Sequence, residues 1–386
     1  MHKYDRNKIE NYKNMLKSTG SLSRLFSESD IPYLVSRSVE NIYCLAFSAE
    51  NLGRSDCSAD AKYEDIGIGL KTFLHGNGRT LQKIAEFNRN SHLYRDKTTK
   101  ELVTTISEMR NERIAFTKRA HNVSTMIYHC VTRQPGKVSI YEEPMDMIDI
   151  NNINAIKKNN NTITFNDRKN EYSFNITKST LYKRFITQNA LIEVNVPIIE
   201  NPYLALENLL PSRHSDTLVK ESNPLQLEAD HKLEVPSVIL PLFSDRGTKR
   251  NVPERSGLNQ WNAKGRPRDP NEIYIPIPKW IHDEFEDFFP DRDSPFHLCV
   301  PSGKVLDAKV CQDGSKALMT NPNKDLGKWL LREVLNLPEK KLVDFDMLER
   351  LNIDSVKIEK NSDSNFSIDF CEIGTYDTFK MKNNSL

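Results

Sequence analysis

Asp60 precedes a stretch from Ile66 to Leu74 that alternates apolar residues with glycines and contains Gly69-Leu70-Lys71. Such alternation suits a buried strand, and on a strand residues 69 and 71 share a face. An acid beside a lysine has a definite chemistry. The carboxylate can hold a divalent cation, and the ammonium can orient or deprotonate water and offset charge on a phosphate under attack. The pair suits metal-dependent phosphodiester hydrolysis, with Mg2+ as the cofactor. The alternative is a plain glycine-rich core strand carrying an exposed lysine.

Rival chemistries have less support. His75-Gly76-Asn77-Gly78 lacks the lysine and hydroxyl of a phosphate loop and reads as a turn. His121 and His129 lack companions and read as structural. The six cysteines, with Cys44 and Cys130 among apolar neighbours, form no CxxC pair. That disfavours a disulfide scaffold or a structural zinc site and fits a reducing cytosol.

These residues must be positioned by a chain of 386 residues, 38% hydrophobic and 28% charged, with a mean hydropathy of −0.60. Two domains, or three, fit that length. No apolar run approaches the ~18 residues of a membrane span, and the first residues lead into charge rather than an apolar leader. Helical spacing follows Ile31-Pro32, from Leu34 to Phe47, and a longer helix covers about 98–120. Short strands are expected at 124–131, 138–141, 162–165, 171–175 and 181–185, with an asparagine-rich loop at 151–161. Six prolines between 197 and 241 read as a linker. Beyond it come strands near 272–277, 296–300, 304–309, 355–360 and 366–371, with helices near 280–288 and 326–335. The division expected is a first domain over 1–195, a linker over 196–245 and a second domain over 246–386.

The net charge of +1 conceals segregation. Residues 246–270 carry seven Lys/Arg against Glu254 and Asp269, residues 79–119 ten basic against five acidic, and 339–377 five basic against ten acidic. Basic clusters are the usual footprint of an anionic partner, although a solvated basic loop is the plainer reading of either one. The first cluster includes Arg255, Asn259, Gln260, Trp261, Asn262, Lys264, Arg266 and Arg268. Arg, Asn and Gln read guanine and adenine edges, and cations neutralise phosphates.

Two resemblances follow. Asp60, Lys71 and the expected helices before and after them resemble the PD-(D/E)XK nuclease core over roughly residues 35–90, although Gly69, which cannot bind metal, stands where that family has its second acid. The resemblance implies that the missing carboxylate comes from elsewhere: Glu40, on a preceding helix, is the first candidate, followed by Glu64, Asp65 and Asp56. It implies too that Gln82, on a helix expected from Thr80 to Asn90, would orient Lys71 or contact phosphate, with Glu86 one turn beyond. The order Ser256-Gly257-Leu258-Asn259, then Arg266-Pro267-Arg268-Asp269-Pro270-Asn271-Glu272, then Tyr274 to Pro278 and Phe288-Phe289-Pro290, resembles the C-terminal DNA-recognition pseudobarrel of NgoFVII- and BfiI-type restriction endonucleases, a fold related to the plant B-three domain. It spans about 245–360. Two arms are implied, Arg255 to Arg268 and Gln312 to Lys324, and the second brings Gln312, Asp313, Ser315, Lys316, Thr320, Asn321 and Asn323. Those enzymes carry a phospholipase-D-like cutter, whose HxK motif this chain lacks.

Together the resemblances imply a mixed α+β chain: a PD-(D/E)XK-like α/β domain with a strand-rich extension, joined to a β-rich pseudobarrel. They imply a type II restriction endonuclease, Mg2+ held by Asp60 and Glu40, double-stranded DNA as partner and a homodimer. A cognate methyltransferase would be a functional partner only, in the cytoplasm of a prokaryotic cell and away from membranes. The alternative is a non-catalytic sequence-specific DNA-binding protein with a degenerate nuclease domain.

Overall fold

The computed structural model describes residues 4–53, 57–207, 235–244 and 249–384. Asp56, Arg246 and most of the proline-containing stretch lie outside them. Two helices open the chain, α1 (Arg6–Ser21) and α2 (Ser36–Phe47). Short β1 (Glu50–Asn51) and β2 (Ala61–Tyr63) lead to β3 (Ile66–Leu74) and then β4 (Arg79–Glu86). Helix α3 (Thr99–Ala120) starts on a capping box, in which the Thr98 hydroxyl accepts from the Glu101 N–H and Glu101 accepts from the Thr98 N–H. This arrangement satisfies two otherwise orphaned donors. After it come β5 (Thr125–Gln134), β6 (Lys137–Pro144), β7 (Ile153–Asn159), β8 (Thr162–Asp167), β9 (Glu171–Asn175), β10 (Thr180–Ile186), β11 (Ile192–Asn195) and the short α4 (Pro202–Glu207).

These strands make two sheets, in the orders β1-β2-β3-β5-β6-β11 and β4-β10-β9-β8-β7. In the first, β2 and β3 form an antiparallel hairpin, while β3 runs parallel to β5 across the α3 crossover. Even-numbered residues of β3, Ile68 and Leu70, pack on α1 and α2. The odd-numbered face, with Phe73, packs on Tyr128, Tyr141, Met145 and Phe185, between the two sheets.

Two expectations fail here for one reason. Residues 80–90 were expected to be a helix, but most of them form β4, which pairs antiparallel with β10 from Thr80↔Phe185 to Glu86↔Thr180. Residues 151–161 were expected to be a loop, but they contain β7, paired with β8. In both segments a non-local partner supplies the ladder and overrides weak local preference. The expected strands at 124–190 therefore divide. β5 and β6 widen the first sheet, and β8 to β10 build the second.

The C-terminal unit is a seven-stranded sheet, ordered β12-β17-β18-β14-β15-β16-β13. Its elements are β12 (Ser237–Pro241), β13 (Ile275–Pro276), α5 (Lys279–Glu284), β14 (Pro295–Cys299), β15 (Val305–Cys311), β16 (Ala317–Thr320), α6 (Asp325–Gly327) running into a π-helical turn over Lys328–Val334, α7 (Phe345–Leu351), β17 (Ile353–Lys360), β18 (Asn365–Glu372) and α8 (Thr375–Asn383). β12 lies inside the stretch expected to be a linker, yet it pairs with β17 along its length, and Val238 and Leu240 are fully buried. The strand expected over 272–277 shrinks to Ile275–Pro276.

Helix α3 joins the two halves. Phe116 and Ala120 are buried in the C-terminal core, and Phe116 meets Phe370 edge to face. Glu112 receives a two-pronged bond from Arg350, and Arg119 donates to the Val334 carbonyl. Among the described residues no cysteine forms a disulfide.

Candidate functional site

The β2–β3 hairpin brings Asp60 to Lys71. The Asp60 backbone donates to the Ile68 carbonyl at 2.8 Å, and its carboxylate Oδ2 accepts the Leu70 N–H at 2.7 Å. One oxygen is thereby oriented by the strand that carries Lys71. Burial pushes the Asp60 carboxyl above its ordinary value, against the pull of the Lys71 ammonium and the Leu70 N–H, and Glu40 adds to the upward push. Burial pulls the Lys71 ammonium below its ordinary range, opposed by Asp60 and reinforced by Arg110. An acid and a lysine of opposite charge, both withdrawn from water, interact more strongly than they would at a surface.

Gly69 lies on the same strand face as Lys71, and its neighbours leave it no side chain. A Cβ there would stand 2.5 Å from Met145 Cε and 3.2 Å from Tyr128 Cδ1. Of the alternative carboxylates, Glu40 sits on α2, half-buried, bonded to Arg37 at 3.1 Å, and its charge bears on Asp60. Glu64 and Asp65 are exposed at the far turn of the hairpin, where Asp65 is tied to Ser124. Gln82 does not occupy a helix after the hairpin. It is on β4 in the second sheet, half-buried, with its amide donated to Thr80 Oγ1 at 3.1 Å. Glu86 ends β4 and pairs with Lys83 at 3.0 Å.

The donor set sets a limit on the metal. Asp60 and Glu40 offer oxygens only. Among the described residues no group of three or more His, Cys, Asp or Glu could hold a metal ion. Two carboxylates, with water and phosphate completing the shell, is the manner in which Mg2+ is held beside phosphate substrates, so these residues fit Mg2+ and not a closed structural site.

Sequence reasoning missed Arg110. It lies on α3, 3% exposed, and donates to Ser58 Oγ at 2.8 Å and to the Tyr128 hydroxyl at 2.9 Å. Its Nε has no partner. A buried arginine whose charge reaches Lys71 adds positive potential to the pair. The available signal was a charged residue among Ile106, Met109 and Ile114 on the helix's apolar face.

The two expected arms adjoin neighbouring strands at one edge of the sheet, because the edge strand β13 pairs with β16. Ile277 N–H donates to the Lys316 carbonyl and Tyr274 N–H to the Gly257 carbonyl. His282 is bonded to the Ser315 carbonyl at 2.9 Å. Arg255, Asn262, Lys264, Arg266, Asp313, Lys316, Asn321 and Asn323 are exposed, while Gln260, Trp261, Arg268, Gln312 and Ser315 are half-buried. Two residues point inward. Asn259 is fully buried, donates to the Pro253 and Val343 carbonyls and accepts the Val343 N–H. Thr320 is buried, and its hydroxyl links the Pro322 carbonyl to the Leu326 N–H. Both hold the arms rather than line them. Buried Glu272 holds the first arm too. Arg266 grips both its oxygens, Arg268 lies 3.6 Å away, and Arg268 also donates to the Ala263 carbonyl at 2.7 Å.

No described helix is long and apolar enough to cross a membrane. Against curated proteins the chain gives no significant match. Residues 234–358, which include β12 and both arms, match the family model of the NgoFVII C-terminal B3-like DNA-binding domain, so this segment is similar to the DNA-recognition part of a restriction-enzyme family.

Proposed function

We propose that the protein is a type II restriction endonuclease that hydrolyses double-stranded DNA at a Mg2+-dependent site built on Asp60, Lys71 and Glu40. The observation that carries this reading is that Asp60 is bonded to the strand that carries Lys71 and lies within electrostatic reach of it at the β2–β3 seam, in a chain whose residues 234–358 are similar to a DNA-recognition domain. The order α2, β1, β2, β3, α3, β5 supports it, because a helix precedes and a helix follows the hairpin. The following helix is α3, reached only after β4.

When bound, Mg2+ would supply an activated water and neutralise charge on the scissile phosphate. Asp60 and Glu40 would hold the cation. Lys71, near Asp60, orients the attacking water and offsets the negative charge that develops on the phosphoryl oxygens. Arg110 keeps the surroundings positive. Arg255, Asn262 and Lys316 on the arms face the duplex, to read base edges and neutralise phosphates. Cutting both strands needs two sites or two successive cuts, for which a homodimer is the simplest arrangement. A cognate methyltransferase would protect the host's own DNA in the cytoplasm.

The test is digestion of genome-sized DNA by the purified chain with Mg2+, followed by sequencing of the ends. A single recurring cut site with 5′-phosphate and 3′-hydroxyl ends is expected. Sequence-selective binding with no cutting at any Mg2+ concentration would replace this reading with that of a non-catalytic DNA-binding protein.

A further inference from the structure

A cleft of about 580 Å³ opens at one end of the second sheet, where the start of β4, the end of β10 and the β8–β9 turn meet β6. Five cations line it, Arg79, Arg168, Lys169, Lys183 and Arg184, against Glu143 and Glu171. The acids are fully engaged. Glu171 takes a two-pronged bond from Arg184 and a third from Arg79 at 3.2 Å. Glu143 takes Lys183 and the Ile186 N–H. Lys169 reaches Asp146 at 3.1 Å, outside the lining.

Arg168 stands apart from these pairs. It is exposed at the tip of the β8–β9 turn with φ +52, and among the described residues it has no ion pair. The turn is built around Asp167, 1% exposed, whose carboxylate accepts the N–H groups of Asp149, Lys169 and Asn170 and the Tyr172 hydroxyl. That carboxylate is spent on backbone and cannot neutralise Arg168. On the edge strand β7, Lys157 and Lys158 are exposed and likewise have no ion pair among the described residues. Residues 150–190 carry seven Lys/Arg against Asp167 and Glu171.

The position of the cleft matters as much as its charge. Lys71 pairs with Cys130, Cys130 with Tyr141, and Tyr128 with Glu143. Directly opposed residues share a face, so Glu143 and Lys71 lie on the same face of the first sheet, two strands apart. Two strand spacings and a two-residue offset along the strand put Glu143, on the wall of the cleft, about 12 Å from Lys71. A polyanion that sets one phosphate at Lys71 brings its neighbouring phosphates to that distance.

Lys157 opposes Thr164 as Asn154 opposes Asn166, so Lys157 shares the face of β7 that borders the cleft. We propose that this cleft and the adjoining β7 edge form a second DNA-contact surface, in which Arg168 and Lys157 bind backbone phosphates flanking the cut. The inference rests on the nuclease reading for its ligand and assigns the second sheet a role independent of base recognition. The experiment titrates the full chain, wild type, Arg168→Asn and Lys157→Gln, with 40-base-pair duplexes of specific and random sequence at several salt concentrations. Asn tolerates the left-handed turn, and an unchanged melting temperature shows that the fold is kept. Each variant is expected to lower the salt slope by about one and to weaken both duplexes about eightfold at 0.1 M salt, with their affinity ratio unchanged. Wild-type affinity and slope in both variants would overturn the proposal whether or not the protein cuts, as would a changed affinity ratio. Inorganic phosphate binding that depends on Arg168, with DNA affinity untouched, would also overturn it by making the cleft a small-anion site. Loss of DNA binding in the variants of a wild type that never cuts would sustain the surface and sink the nuclease.

Discussion

A Cβ on Gly69 would stand 2.5 Å from the Cε of Met145, which is 4% exposed and backed by Tyr128. The position where the resemblance calls for a carboxylate is thus filled from across the core. Met145 is flexible and can retreat, so Gly69→Ala should cost only about 1–2 kcal/mol of overpacking. In a double-mutant cycle, Met145→Ala should cost less in the Gly69→Ala background than in wild type. Urea denaturation of the four proteins checks this, and strict additivity would mean that the two side chains do not compete for the space.

Asp60→Asn and Lys71→Ala should each lower the cleavage rate by at least about a hundredfold while leaving duplex affinity within about twofold, because each removes charge needed in the transition state. Glu40→Gln should do the same to a lesser degree. Glu64→Gln, at the exposed turn, should cut normally. Single-turnover rates across a Mg2+ titration separate the roles. A carboxylate variant that holds the metal less well regains rate at high Mg2+, whereas Lys71→Ala does not. Full activity in Glu40→Gln would send the search for the second ligand elsewhere.

Within the arms, burial separates readers from supports. Asn262→Ala should cost about 1–3 kcal/mol of discrimination between specific and random duplexes. Lys316→Ala should weaken both equally and lower the salt slope by about one. Asn259→Ala should instead destabilise the fold by about 2–3 kcal/mol, because it leaves the buried Val343 N–H without its acceptor. Gel-shift titrations and denaturation curves on the same three proteins distinguish these outcomes. Equal loss on both duplexes for Asn262→Ala would remove that residue from base reading.

His121 ends α3, 2% exposed, and burial holds its imidazole down at about 4, with Nδ1 unpartnered. Its folded value lies below the unfolded one, so the unfolded chain takes up the proton first as the pH falls. Stability is therefore full above about pH 6.5 and drains away towards pH 4, by up to about 3 kcal/mol from this group. His121→Asn should flatten that part of the stability–pH curve. An unchanged curve would assign the acid sensitivity to other groups.

Sequence alone determined what local pattern encodes. The α3 periodicity, the strands flanking the arms, the Asp60-to-Lys71 spacing and the order of polar residues in the arms were legible because each is written in contiguous residues. The second sheet was not. β4 reads as a helix until β10 lies beside it, and β7 reads as a loop until β8 does, because a strand's ladder is completed by a distant segment. The proline-rich stretch concealed β12 for the same reason, since its partner β17 lies more than a hundred residues away. Tertiary structure also sorted residues of one type by burial. Asn259 turned inward and Asn262 outward from the same turn, and Arg266 was tied to Glu272 while Arg255 stayed exposed. It brought Arg110 to Lys71 and filled the space at Gly69 with Met145. Those outcomes depend on which side chains reach the same point from different elements, and that is settled only when the sheets and α3 pack together.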